Sequence, residues 1–162
     1  MAKIITLKQG HKAPAIKLPD QNGQVHELRD YLGQWVLVYF YPKDDTSGCT
    51  KEACQLRDNL PKFKKMTAVV LGISVDSVAS HKKFETKYKL PFTLLADNSK
   101  EMVEKYGVWQ EKSMYGRKYM GTVRTSFLVD PKGNVAKVYE KVKPELHAAE
   151  VLADLTLLTA KR

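Results

Sequence analysis

Sulfur nucleophiles are scarce in this chain: its 162 residues include two cysteines, Cys49 and Cys54, and both fall within one thirteen-residue stretch. Long apolar runs are missing altogether. Nowhere do the roughly 18 consecutive apolar residues of a membrane span occur, and residues 1–8 lack the apolar core of a secretory leader. The expectation is therefore a soluble, cytoplasmic protein without membrane contact, and a reducing cytosol suits a dithiol that cycles better than a structural disulfide. There is no internal repeat, low-complexity tract or linker, so residues 1–162 are expected to form one domain. Zinc-finger spacing, a glycine-rich phosphate loop and an aromatic-basic RNA signature are also missing. The formal net charge of +9 therefore does not imply a specific nucleic-acid partner. Its lysines, Lys62, Lys64, Lys65, Lys82, Lys83, Lys87 and Lys89 among them, are interleaved with acidic and apolar residues at helical spacing, which describes solvated faces. The four histidines, His11, His26, His81 and His147, are scattered, and the Cys49 to Cys54 spacing is not that of a zinc knuckle. No metal or other cofactor is expected.

What the chain does have begins with residues 36–41, Val-Leu-Val-Tyr-Phe-Tyr. This run is apolar on both faces and too short for a helix, so it reads as a buried central strand. Pro42 ends it. The helix-capping types Asp44, Asp45, Thr46 and Ser47 follow, and residues 49–60 carry Ala53, Leu56 and Leu60 at helical spacing until Pro61, which is expected to stop the helix. Cys49 then lies in the first helical turn, where unpaired backbone amides and the positive end of the helix dipole favour thiolate over thiol, and the thiolate is the nucleophile. Cys54 is about 140° further round an ideal helix, at a Cα separation of roughly 8 to 9 Å. A disulfide needs Cα atoms no more than about 7 Å apart, so the pair could bond only if at least one turn unwinds.

Each of these residues also has a plain structural role when taken alone. A buried cysteine is usually a small inert hydrophobe, Thr46 an N-cap, Arg124 a solvated charge at a strand end, Pro42 a strand terminator, and Glu52 a complement to the helix dipole. Their joint spacing points elsewhere. Pro42, Thr46 and Cys49 reproduce a P-x-x-x-T-x-x-C pattern, and the chain resembles the peroxiredoxins, thiol peroxidases of thioredoxin-like fold. The wording GCTKEACQLRD around Cys49 and Cys54 is similar to the bacterioferritin comigratory protein (PrxQ-type) branch. Residues 10–19, 20–28, 72–76 and 124–130 resemble further segments of that family, so the likeness covers nearly the whole chain.

The resemblance implies a role for each matching residue. Cys49 would be the peroxidatic nucleophile and Cys54 the resolving cysteine. Thr46 and the Cys49 amide would hydrogen-bond the peroxide, Pro42 would shield the pocket, and Arg124 would bring a guanidinium to the thiolate, with Glu52 orienting Arg124. Cleaving an O–O bond places negative charge on both oxygens, so fixed donors aimed at them stabilise the transition state, and an arginine provides such donors without titrating. The implied activity is reduction of hydrogen peroxide and organic hydroperoxides, with thioredoxin or a similar dithiol as reductant and a monomer as the working unit. Two other functions use the same residues. A thioredoxin-type oxidoreductase would need C-x-x-C, which the four-residue gap does not provide. A redox-regulated holdase or sensor would oxidise once rather than turn over.

The remaining strand-like runs at 69–75, 92–95, 126–130 and 135–140 alternate with helical stretches at 78–88, 99–106 and 145–159, which predicts a three-layer α/β fold. The turn at 130–134 makes the last two strands an antiparallel hairpin in an otherwise mixed sheet, and the resemblance adds an N-terminal β-hairpin extension. Residues 110–122 read as a mobile loop bordering the pocket, with Trp109 and Tyr115 as packing anchors.

Overall fold

The computed structural model describes residues 7–160; of the amino-terminal stretch read for a leader, residues 1–6 lie outside them. The run of β-branched and aromatic residues at Trp35–Phe40 forms β3, and all six of its side chains are buried. A strand of this kind is stable only with a layer on each face. Its alternation sends Trp35, Leu37 and Tyr39 into one core with Ala53, Leu56 and Phe63, and Val36, Val38 and Phe40 into a second core with Ile16, Leu28, Val103 and Tyr106.

In chain order, β1 (Lys17–Pro19) and β2 (Val25–Glu27) form a hairpin, followed by a 3-10 helix at Leu28–Tyr31 and then β3. Next come α1 (Ser47–Lys65), β4 (Ala68–Ser74), α2 (Val78–Tyr88), β5 (Thr93–Ala96) and α3 (Glu101–Lys105). The chain closes with β6 (Trp109–Met114), β7 (Arg117–Thr122), β8 (Thr125–Val129), β9 (Val135–Tyr139) and α4 (His147–Ala160). The central sheet has the order β5-β4-β3-β8-β9. Strands β3, β4 and β5 run parallel, whereas β8 and β9 are antiparallel additions. Helices α1, α2 and α4 supply the first core and the 3-10 helix and α3 the second. This is the three-layer, thioredoxin-like arrangement with a mixed sheet and an N-terminal hairpin. No described helix is long and apolar enough to cross a membrane.

Two expectations are corrected. Helix α1 does not stop at Pro61 but carries it internally and continues to Lys65. Proline removes one backbone bond, four residues back, and burial of Leu60 and Phe63 on either side outweighs that loss. Residues 110–122 are not an irregular loop. They form the β6–β7 hairpin, paired from Trp109 opposite Thr122 to Met114 opposite Arg117, with Tyr115 and Gly116 at the turn in positive φ. Trp109 is half-buried against the second core, but Tyr115 is 98% exposed and anchors nothing.

One close approach fixes the sheet beneath the site. Gly72 on β4 lies opposite Tyr39 on β3, and a Cβ at Gly72 would meet the Tyr39 ring at 2.8 Å. Gly72→Ala is expected to destabilise the protein by about 1 to 3 kcal/mol through overpacking. Urea unfolding measures this, and an unchanged midpoint would show that the ring yields freely.

Candidate active site

Strand β3 delivers the chain to its C-terminal edge, where buried Tyr41 and half-buried Pro42 lead into the loop before α1. The loop is fastened from beneath. Tyr41 Oη donates to Asp44 Oδ1 (2.6 Å), and Ser80 Oγ donates to Asp44 Oδ2 (2.8 Å). His81 Nδ1 lies 2.7 Å from the same carboxylate oxygen, with Nε2 2.9 Å from the Leu95 carbonyl. The Asp44 amide donates to Asp76 Oδ2 (2.9 Å), which also accepts from Ser74 Oγ. His81 is thus less isolated than its place in the sequence suggests, since ligand-type atoms of Asp44, Asp76 and His81 lie within 4.8 Å of one another. Those atoms already have hydrogen-bond partners, the Asp44 oxygens in Tyr41, Ser80 and His81 and Asp76 Oδ2 in the Asp44 amide and Ser74, as buried polar groups must.

Thr46 occupies the N-cap position of α1 but makes no capping bond. Its hydroxyl instead donates to the Lys43 carbonyl (2.9 Å). With its proton committed there, Oγ1 is left to accept a hydrogen bond from whatever enters the site. Cys49 is the third residue of α1, in the first turn as expected, and is 1% exposed. Cys54 is half-buried on the same helix, and both thiols are free. Since α1 is continuous across both, the ideal-helix separation of roughly 8 to 9 Å applies, beyond disulfide reach.

Arg124 comes from just before β8, the strand beside β3. The antiparallel register pairs Phe40 with Thr125, so the residue before Thr125 arrives where β3 gives way to the loop. From there Arg124 Nη2 donates to Cys49 Sγ (3.2 Å) and Nη1 to Glu52 Oε1 (2.7 Å). Cys49 and Glu52 are one turn apart on α1, so a single guanidinium fork spans both. Sequence reading missed the residue that makes room for it: a Cβ at Gly48 would sit 3.0 Å from Arg124 Nη2 and 3.5 Å from Pro144.

Glu52 is fully buried, and its second oxygen has no hydrogen-bond partner. Burial outweighs the attraction of Arg124 and pushes its carboxyl up to about 7. The Tyr39 hydroxyl is also buried without a partner, and its ionisation is pushed well upward, first by burial and then by the nearby charges of Glu52 and Cys49. Lys112 on β6 reaches back to the Thr122 carbonyl (3.0 Å). Its amine is lowered by burial and by Arg124, while Cys49 acts in the opposite direction. The β6–β7 hairpin therefore does border the site. Tyr39, Lys112 and Gly48 carry no signal in sequence beyond an apolar strand, a polar hairpin and a glycine next to a cysteine. Their importance arises from the register between strands.

Chemically, the site offers a nucleophilic sulfur, a permanent cation against it, a hydroxyl with a free lone pair, and the unpaired amides of a helix start. The AhpC/TSA family matches residues 9–138. The chain belongs to that family of peroxiredoxins. Among its relatives, a putative Bcp peroxiredoxin of Coxiella burnetii is 48% identical over 151 residues, 93% of this chain and the whole of that one. Peroxiredoxin Bcp of Bacillus subtilis is 42% identical over 97% of this chain and all of its own length. A solved Xanthomonas campestris bacterioferritin comigratory protein, described for its alkyl peroxide reduction, superposes with a TM-score of 0.83 at 39% identity, covering 88% of this chain and 90% of that one. As a peroxiredoxin, the chain is a thiol peroxidase.

The raised carboxyl of Glu52 has a definite sign in stability. Its folded value of about 7 exceeds the ordinary 4.5, so the native state holds the proton more tightly than the unfolded chain. This contribution is fully present below pH 4.5 and is lost as pH rises through about 7. Relative to Glu52→Gln, the wild-type protein is expected to lose on the order of 1 to 3 kcal/mol across that window. Denaturant midpoints of both proteins against pH measure it, and parallel curves would contradict the assignment.

Proposed function

We propose that this chain, acting as one thioredoxin-like domain, reduces hydrogen peroxide and organic hydroperoxides with Cys49 as the peroxidatic residue and Cys54 as the resolving one. The observation that supports this most directly is the Arg124 contact to Cys49 Sγ at 3.2 Å, with the second thiol five residues on in the same helix. The Cys49 thiolate attacks the near oxygen of the peroxide. The S–O bond forms as the O–O bond breaks, and the departing alkoxide or hydroxide takes up a proton to leave as alcohol or water, which puts Cys49 at the sulfenic acid level. Arg124 stabilises the thiolate and the charge developing on the oxygens. Thr46 Oγ1 accepts the hydrogen bond of the entering hydroperoxide, which fixes which oxygen faces the sulfur. Pro42 at the loop start limits water, and Glu52 holds the guanidinium in plane.

Resolution requires the first turns of α1 to open. Cys54 then displaces the sulfenic hydroxyl, forming the disulfide and releasing water. A dithiol such as thioredoxin reduces that disulfide by exchange. No metal or prosthetic group takes part in this cycle. Because both cysteines lie on one helix, the cycle closes within a single chain, which supports a monomer as the working unit in antioxidant defence, and a cycling dithiol suits a reducing cytoplasm.

One equivalent of hydrogen peroxide should remove both free thiols and two hydrogens of mass, and peptide mapping should show Cys49 joined to Cys54. Retention of two thiols would rule out an activated Cys49. In coupled assays Cys49→Ser is expected to abolish peroxide consumption, and Cys54→Ser to allow one oxidation but no thioredoxin-linked turnover. Arg124→Ala should slow the peroxide step by roughly 100-fold, the scale of losing one transition-state donor. An unchanged second-order rate would remove Arg124 from the mechanism.

A further inference from the structure

We infer that Arg57 is the positioning cation of the resolving half-reaction, its charge set three residues beyond Cys54 on α1. The inference rests on the resolving role proposed for Cys54. Arg57 follows Cys54 by three residues on α1, a spacing that places two side chains on one helix face. Its guanidinium is fixed from two sides. Nε donates to Asp58 Oδ1 (2.9 Å), and Nη1 donates to the Tyr88 carbonyl (2.6 Å). Tyr88 is the last residue of α2, so this carbonyl has no partner within its own helix and lies at the negative end of the α2 dipole, a natural seat for a cation. Arg57 is itself raised above its ordinary range, by the Asp58 hydrogen bond first and, against some desolvation, by the nearby charge of Cys54.

The chemistry of resolution makes this placement consequential. Condensation forms the S–S bond as the Cys49 S–O bond breaks, and the attacking sulfur must supply the electron pair as a thiolate, while the hydroxyl leaves as water with the proton released by the Cys54 thiol. A cation on the same helix face favours the charged form of a neighbouring acid. Since Arg57 is anchored on α2, its charge stays in place when the turns carrying Cys49 open. The two sulfurs thus have separate guanidiniums, one reaching across from the start of β8 and one anchored to the end of α2.

The test uses a Cys49→Ser background, in which Cys54 is the sole thiol, and reads its alkylation by iodoacetamide. Arg57→Met should slow alkylation at pH 7 by roughly three- to tenfold, with the two rates converging above about pH 10, where any thiol is ionised. Arg57→Lys should recover most of the rate. Equal rates at pH 7 would overturn the inference. So would a faster reaction at every pH, because that reports only a loosened helix. With Cys49 restored, stopped-flow fluorescence should show slower disulfide formation in Arg57→Met than in Arg57→Lys, and equal rates would again overturn it. Failure of the underlying reading looks different: thioredoxin-linked turnover would then survive in Cys54→Ser, whatever the Arg57 variants do.

Discussion

A guanidinium withdrawn from water organises this protein. The Arg124 side chain is 16% exposed and its carboxylate partner 1%, so neither is well solvated and each depends on the other. Removing one member of such a buried pair typically costs about 3 to 5 kcal/mol, because the survivor is left uncompensated. The carboxyl of Glu52, raised by burial and with one oxygen unpartnered, shows that the pair is not held for stability alone. What it provides is direction. With Nη1 committed to Glu52, Nη2 can only point at the sulfur.

The rest of the fold keeps that fork aimed. Antiparallel pairing of β8 with β3 brings a residue from late in the chain to the strand edge where α1 begins, and parallel pairing of β3 with β4 sets the floor on which Tyr39 rests. The loop between β3 and α1 would otherwise be free to move, yet Asp44 ties it to Tyr41, Ser80, His81 and Asp76. Asp45, in positive φ, ties its outer side to Lys87 and Tyr88 (2.7 and 2.6 Å). The same Tyr88 accepts from Arg57. The end of α2 therefore holds the loop before the two cysteines and the stretch of α1 after them.

Much of this is legible in the chain because local chemistry and tertiary structure agree. An apolar run too short for a helix had to be the central strand, and cap-type residues after it had to start a helix with Cys49 in its first turn. Glu52 could be guessed as the partner of Arg124 because one helical turn separates it from Cys49. Three other features were not legible. Pro61 is a stop signal by local rules, but Leu60 and Phe63 had burial to gain by continuing. Residues 109–122 lack an apolar face, so their pairing as a hairpin leaves little trace in their pattern. Gly48 and Lys112 matter only once the register of β8 and the fold-back of β6 are known, and a sequence does not print register.

Helix α1 contains a built-in mechanical joint. Pro61 has no amide hydrogen, so the Arg57 carbonyl goes without its usual bond, and the cooperative ladder that would transmit fraying along nineteen residues is interrupted there. On the N-terminal side lie both cysteines. On the C-terminal side is Phe63, fully buried in the first core. Opening on one side of the joint therefore need not propagate into the other. A proline that costs the helix one hydrogen bond thus limits how far fraying at the N-terminal end can travel toward the buried end of the helix.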